Sequence, residues 1–178
     1  FEKMLYDNAQ LLATYAEAAV ALDRPRFSQV AEDIADYMIN QMQDENGGFY
    51  SAQSADSEGE EGAFYVWKPA EVNQVLGDSE LFLAAYPVTE KGNFEGNRTV
   101  LNRQSDIDPE VDTLKMARQK LFEHRAKREP PPTDKKLVVA WNGLAIGGLA
   151  RAGRLLNKPR LITAAQRAAR RALSVVDE

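Results

Sequence analysis

The chain holds 178 residues, with 22 lysines and arginines against 27 aspartates and glutamates, one histidine and no cysteine. That length suits one domain of ordinary size, and a 44% apolar share is enough to build a core. These residues exclude a disulfide framework, a thiolate zinc site, a thiol nucleophile and a CxxC redox pair, and the single histidine excludes multi-histidine metal sites.

No apolar run approaches the ~18 residues that a spanning helix needs, so no membrane partner is expected. The opening Phe1-Glu2-Lys3-Met4 shows no initiator Met and no signal-peptide pattern. The expectation is a piece cut from a longer cytoplasmic protein. Residues 1–114 carry 22 acids and 7 bases, and residues 115–178 carry 15 bases and 5 acids. The bases fall on polar faces of expected helices with no interleaved aromatics, so no nucleic-acid partner is expected.

In chain order, residues 2–22 read as a helix. Leu5, Ala9, Leu12, Ala16 and Ala19 recur at helical spacing, and Leu11, Tyr15, Ala18 and Leu22 widen the stripe to more than one side. Pro25 suits the first turn of a second helix reaching about Met42. Two β segments are expected at Gly48–Ala52 and Ala63–Trp67, joined by an acidic loop from Gln53 to Gly62. Short helices follow from Pro69 to Leu76 and from Ser79 to Tyr86. Residues 87–107 read as irregular, with Gly92 and Gly96 as breakers and a short strand at Thr99–Leu101. A long charged helix runs from Asp108 to about Lys127. Pro130-Pro131-Pro132 is a stiff connection, and helices at 136–156 and 160–176 close the chain. The organisation expected is one partial domain over 1–178: a helical hairpin (1–43), a β-hairpin and loop insertion (44–107), then a long helix with a second hairpin (108–178).

The two terminal hairpins match at a fixed offset. Ala18, Leu22, Pro25, Arg26, Ala31 and Ala35 meet Ala152, Leu156, Pro159, Arg160, Ala165 and Ala169, and upstream Asn8 meets Asn142. Each hairpin has an apolar first helix and a second helix with one polar face. That asymmetry suits two layers, with inner helices covered by outer ones. The expected fold is therefore mainly α: antiparallel helical hairpins forming an arc of a toroid, with a small β-hairpin insertion. An interrupted ring exposes apolar helix faces, which predicts self-association into a homo-oligomer. Gly143, Gly147, Gly148, Ala152 and Gly153 suggest close helix approach.

The acidic block Asp56, Glu58, Glu60 and Glu61 is the sharpest chemical candidate. Paired carboxylates supply a general acid and base for sugar chemistry when their environments separate their pKa values, and Asp56 and Glu58 take those roles here. The competing reading is an exposed acidic tip. Nearby Phe49, Tyr50, Phe64, Tyr65 and Trp67 suit stacking on sugar rings as well as packing; Tyr65 and Trp67 are the substrate-binding candidates. A calcium loop fails, since Glu61 stands where an EF-hand needs Gly and Trp67 where it needs Glu. No metal and no cofactor are expected.

Lys3, Tyr6, Asp7 and Asn8 begin one inner helix, and Trp141 and Asn142 begin the other. At the mouth of a toroid Asp7 would act in acid–base chemistry, while Lys3, Tyr6, Asn8, Trp141 and Asn142 would bind substrate. Equally, Tyr6, Asp7 and Trp141 would satisfy buried loops. His124 reads as a surface residue. Phosphate-loop, dinucleotide, serine-hydrolase and zinc-protease motifs do not occur.

Four ordered blocks resemble the YyaL-like, spermatogenesis-associated thioredoxin-domain family. They are Phe1-Glu2-Lys3-Met4-Leu5-Tyr6-Asp7; Gly47-Gly48-Phe49-Tyr50-Ser51-Ala52 with Ala55 to Gly62 and Phe64-Tyr65-Val66-Trp67; Gly92-Asn93-Phe94-Glu95-Gly96 with Leu101-Asn102; and Asp134-Lys135-Lys136 with Trp141-Asn142-Gly143-Leu144. The resemblance implies a region of an (α/α)6 six-hairpin toroid similar to sugar epimerases and glycosidases. It also implies a sugar-like ligand and, as a partner, the N-terminal thioredoxin-like domain of the parent protein. The alternative role is a non-catalytic scaffold or interaction module. Two departures stand out: Ser54 lies where the family carries an acid, and one histidine does not supply an epimerase's pair.

Overall fold

Leu5–Ala21 forms helix α1 and Pro25–Tyr37 forms α2, continued by a π-helical turn over Met38–Met42. This is a computed structural model, and it describes residues 1–176. Its helices α3 (Pro69–Leu76), α4 (Glu80–Ala85), α5 (Asp112–Arg125), α6 (Val139–Leu155) and α7 (Pro159–Val176) bring the helical share to 57%, so the chain is mainly α. A small antiparallel sheet has the order β1 (Lys3–Met4), β2 (Ala52–Gln53), β5 (Thr133–Asp134), with Met4 opposite Ala52 and Ala52 opposite Asp134. Two further strands, β3 (Asp56–Ser57) and β4 (Glu60–Glu61), pair with each other.

The chain divides into two compact units. One contains residues 2–54 and 132–176; the other contains Phe1 and residues 55–131.

In the first unit the sequence repeat is a structural repeat. Helices α1 and α6 are both 17 residues long, and each is followed by the same turn. Asp23 and Asn157 hold φ of 49° and 52°, and a following amide reaches back five residues, from Arg24 to Ala19 and from Lys158 to Gly153. Short polar side chains tolerate this left-handed position, which closes the last carbonyls of the helix. Proline then opens the outer helix, where its missing N–H costs nothing. Each inner helix thus lies antiparallel to its outer one. The two inner helices run in the same direction: Tyr6 meets Trp141 near their starts, and Glu17 meets Arg151 near their ends. Leu5, Leu12, Ala16, Ala145, Leu149 and Ala152 are fully buried between these elements, together with Met38, Met42 and Phe49. Each buried leucine contributes about 1.5–3 kcal/mol relative to exposure.

Several expectations are corrected. Helix α1 begins at Leu5, because Lys3 and Met4 pair with β2. Gly48–Ala52 and Ala63–Trp67 do not pair with each other. The observed hairpin lies inside the stretch expected to be a loop, at Asp56–Glu61. Its two turn residues, Glu58 and Gly59, both have positive φ (54° and 81°), the requirement of a tight type I′ turn. Helix α5 begins at Asp112, because the Asp108 carboxylate captures the amide of Glu110 in a turn. The wider stripe expected on the first helix is not fully covered, since Leu11 and Leu22 are exposed.

Candidate functional site

The 55–131 unit is built around Arg128, which lies beyond the C-terminal end of α5. Its Nη1 donates to the carbonyls of Phe64 (2.8 Å) and Val66 (2.9 Å), and its Nη2 pairs with Glu71 on α3. The guanidinium also lies 4.2 Å from the centre of the Trp67 ring. Trp67 is 2% exposed and bridges Thr99 through reciprocal backbone bonds of 2.9 and 2.7 Å. His124 is half-buried rather than a free surface group, with Nε2 3.4 Å from Glu71.

Beside this cluster opens a cleft of about 530 Å³, lined by Glu58, Glu60, Trp67, Lys68, Arg98 and Arg128 among others. Of the predicted residues, Glu58, Glu60 and Trp67 line it. The acidic hairpin forms one side. Asp56 stands opposite Glu61 across β3 and β4, and Glu60 pairs with Arg98 at 2.8 Å. Like charges facing across two strands are unfavourable, as is a glutamate at positive φ. Glu58 and Asp56 therefore sit where local structure alone favours other residues. Replacing Glu58 with Asn, which adopts this turn readily, is expected to raise the unfolding free energy by about 0.5–1 kcal/mol. Urea denaturation checks it, and a loss of stability would show that Glu58 makes a contact that holds the hairpin.

Tyr65 is stacked on Phe1 (5.8 Å between ring centres) and flanked by Phe64, with the Arg125 guanidinium 5.2 Å from its ring. Burial raises its phenol pKa above the ordinary value, with Arg125 pulling the other way; burial likewise lowers that of Arg125.

The other predicted residues lie in the first unit. Tyr6 packs edge-on against Trp141 at 4.9 Å. Asp7 is exposed on the first turn of α1, and Lys3 lies in β1. Asn142 is 3% exposed and works as a clip: its Oδ1 accepts from the Phe49 amide (2.8 Å), and its Nδ2 donates to the Phe49 carbonyl (3.0 Å). Asn8, its repeat equivalent, donates only to the Met4 carbonyl at 2.8 Å. The clip was missed from sequence because the Asn8–Asn142 match draws attention to the helix ends, whereas the bonded partner is backbone.

The Gly47-Gly48-Phe49 segment fits beneath α7. A Cβ on Gly47 would lie 2.8 Å from Arg167, and one on Gly48 would lie 3.0 Å from Leu137 and Arg171. A small cavity beside Gly48 and Asn142 is lined by Leu137, Val139, Arg171 and Ala172.

Among the described residues no group of three or more Asp, Glu or His side chains is placed to hold a metal ion, and no helix is long and apolar enough to cross a membrane.

The relatives answer to this whole two-unit stretch. The chain is 35% identical to human spermatogenesis-associated protein 20. That match covers 96% of this chain and 26% of the human protein. The rat and mouse proteins of the same name are 34% and 33% identical over 96% and 93% of the chain. The chain thus spans about a quarter of the length of the curated relatives it matches. No family model matches it.

Proposed function

We propose that this chain is a scaffold segment: an arc of a larger ring of helical hairpins that positions other parts of a longer protein, without catalysis of its own. The observation that carries this reading is the engagement of the side chains best suited to sugar. Asn142 is committed to Phe49, Trp67 is covered by Arg128, and Tyr65 is enclosed by Phe1, Phe64 and Arg125. The repeat and the parallel inner helices support the ring, since each added hairpin then repeats one packing step. Partners in this reading are neighbouring domains of the parent protein, a thioredoxin-like one among them by family resemblance, in the cytoplasm.

A second reading rests on the cleft. Glu58, Lys68 and Arg98 face an open volume large enough for a sugar ring, and Glu58 keeps an unfavourable backbone position. There the chain binds or processes a carbohydrate, with Glu58 as the acid that lines the cleft. Calorimetry of the chain with a panel of mono- and oligosaccharides separates the two readings. The scaffold reading expects no saturable heat. Saturable binding that Glu58→Gln removes at unchanged melting temperature would overturn it in favour of the second.

A further inference from the structure

The structural repeat allows every exposed position on one hairpin to be compared with its counterpart on the other. Leu5 and Ala9 on α1 are 0% and 1% exposed, and the Ala9 carbonyl touches α6 at Gly148. Their counterparts on α6, Val139 and Gly143, are exposed, and nothing lies within 4 Å of a Cβ placed on Gly143. The converse also holds. Ala145, Gly148 and Ala152 on α6 are buried, whereas their counterparts Leu11 and Thr14 are exposed and Ala18 is half-buried. The face with which α1 receives α6 is therefore vacant on α6, and the face α6 offers to α1 is vacant on α1. Asn8 repeats the pattern: Asn142 clips a loop that follows the preceding outer helix, while the Oδ1 of Asn8 accepts no bond among the described residues.

We propose that the Val139–Gly143–Gly147 face of α6 docks a further helical hairpin of the same repeat, and that Thr14 and Arg26 bar this chain's own first hairpin from that place. The inference rests on the scaffold reading and names its partner. Repeating the α1-to-α6 step sets Thr14 of a second copy where Gly148 sits. A Cβ on Gly148 would lie 2.5 Å from the Ala9 carbonyl, so Thr14 would collide with the matching carbonyl of Gly143. In the outer layer Asp36 on α2 pairs with Arg160 on α7, and Glu32 pairs with Lys158 at 2.8 Å. One step on, Arg170 takes the place of Asp36 and meets Arg26 of the copy, so attraction becomes repulsion. The inner pair survives the step, since Glu17 and Arg151 are themselves counterparts. The occupant that fits therefore has a glycine at the place of Gly148 and an acidic residue at the place of Arg26. It is a different hairpin, and the self-association expected from sequence is blocked.

Sedimentation velocity of the full chain tests this. The wild-type chain is expected to remain monomeric. Thr14→Gly with Arg26→Glu removes both obstacles and is expected to give concentration-dependent association, which Gly143→Phe in the same variant abolishes. Circular dichroism at the same concentrations checks the fold. If glycine at position 14 melts α1, the wild-type chain compared with Gly143→Phe carries the test. A folded double variant that stays monomeric overturns the proposal, as does wild-type association that Gly143→Phe removes. None of these results touches the saccharide calorimetry, so the scaffold reading stands or falls separately.

Discussion

Gly148→Ala is expected to lower the unfolding free energy by about 1–3 kcal/mol, although alanine is the better helix former. The added methyl would lie 2.5 Å from the Ala9 carbonyl, a backbone atom in the middle of α1. Neither helix yields locally, so the two must separate and loosen the buried layer of Leu12, Ala16, Ala145 and Leu149. The same change at Gly143 or Gly147 meets open space, and there alanine gains about 0.5–1 kcal/mol per site. Thermal and urea unfolding of the three variants checks the contrast. Equal effects at all three would mean that α1 and α6 do not approach as closely as described.

That contrast shows what the sequence discloses and what it withholds. The glycine-rich pattern of α6 is visible in the letters, but it does not separate the glycines that touch α1 from those that face nothing. The hairpin turns were legible, because an Asp or Asn before a basic residue and a proline carries its own backbone chemistry. The long helices were legible from their apolar spacing, but the π-helical turn at Met38–Met42 was not. The sheet was not: β1, β2 and β5 are two residues each and come from positions far apart, so no periodicity announces them. The acidic block reads as a chemical candidate from sequence, whereas its acids lie on a hairpin whose tight turn sits at Glu58-Gly59. The aromatic residues around it were equally consistent with stacking on a ligand or on the protein. Only the position of Arg128, more than 60 residues further along than Val66, decides what lies against Trp67.

Arg128→Ala is expected to cost about 2–4 kcal/mol, the other large effect in the chain. Two carbonyls and the Glu71 carboxylate lose their donor together, and the Trp67 ring loses its cover. The pair is mostly shielded, with side chains 18% and 28% exposed, so water compensates only in part. Arg128→Lys recovers little. One ammonium on a flexible stem does not present a planar fork to two carbonyls and a carboxylate at once. Arg98 provides the comparison inside the same unit. Its partner Glu60 is 64% exposed, and Arg98→Ala is expected to cost no more than about 1 kcal/mol. Chemical denaturation measures both, and hydrogen exchange across 63–71 reports whether the loss is local. If Arg128→Ala costs no more than Arg98→Ala, then the Ala63–Trp67 segment is held by its own turns. Arg128 would in that case be free to serve the cleft it lines.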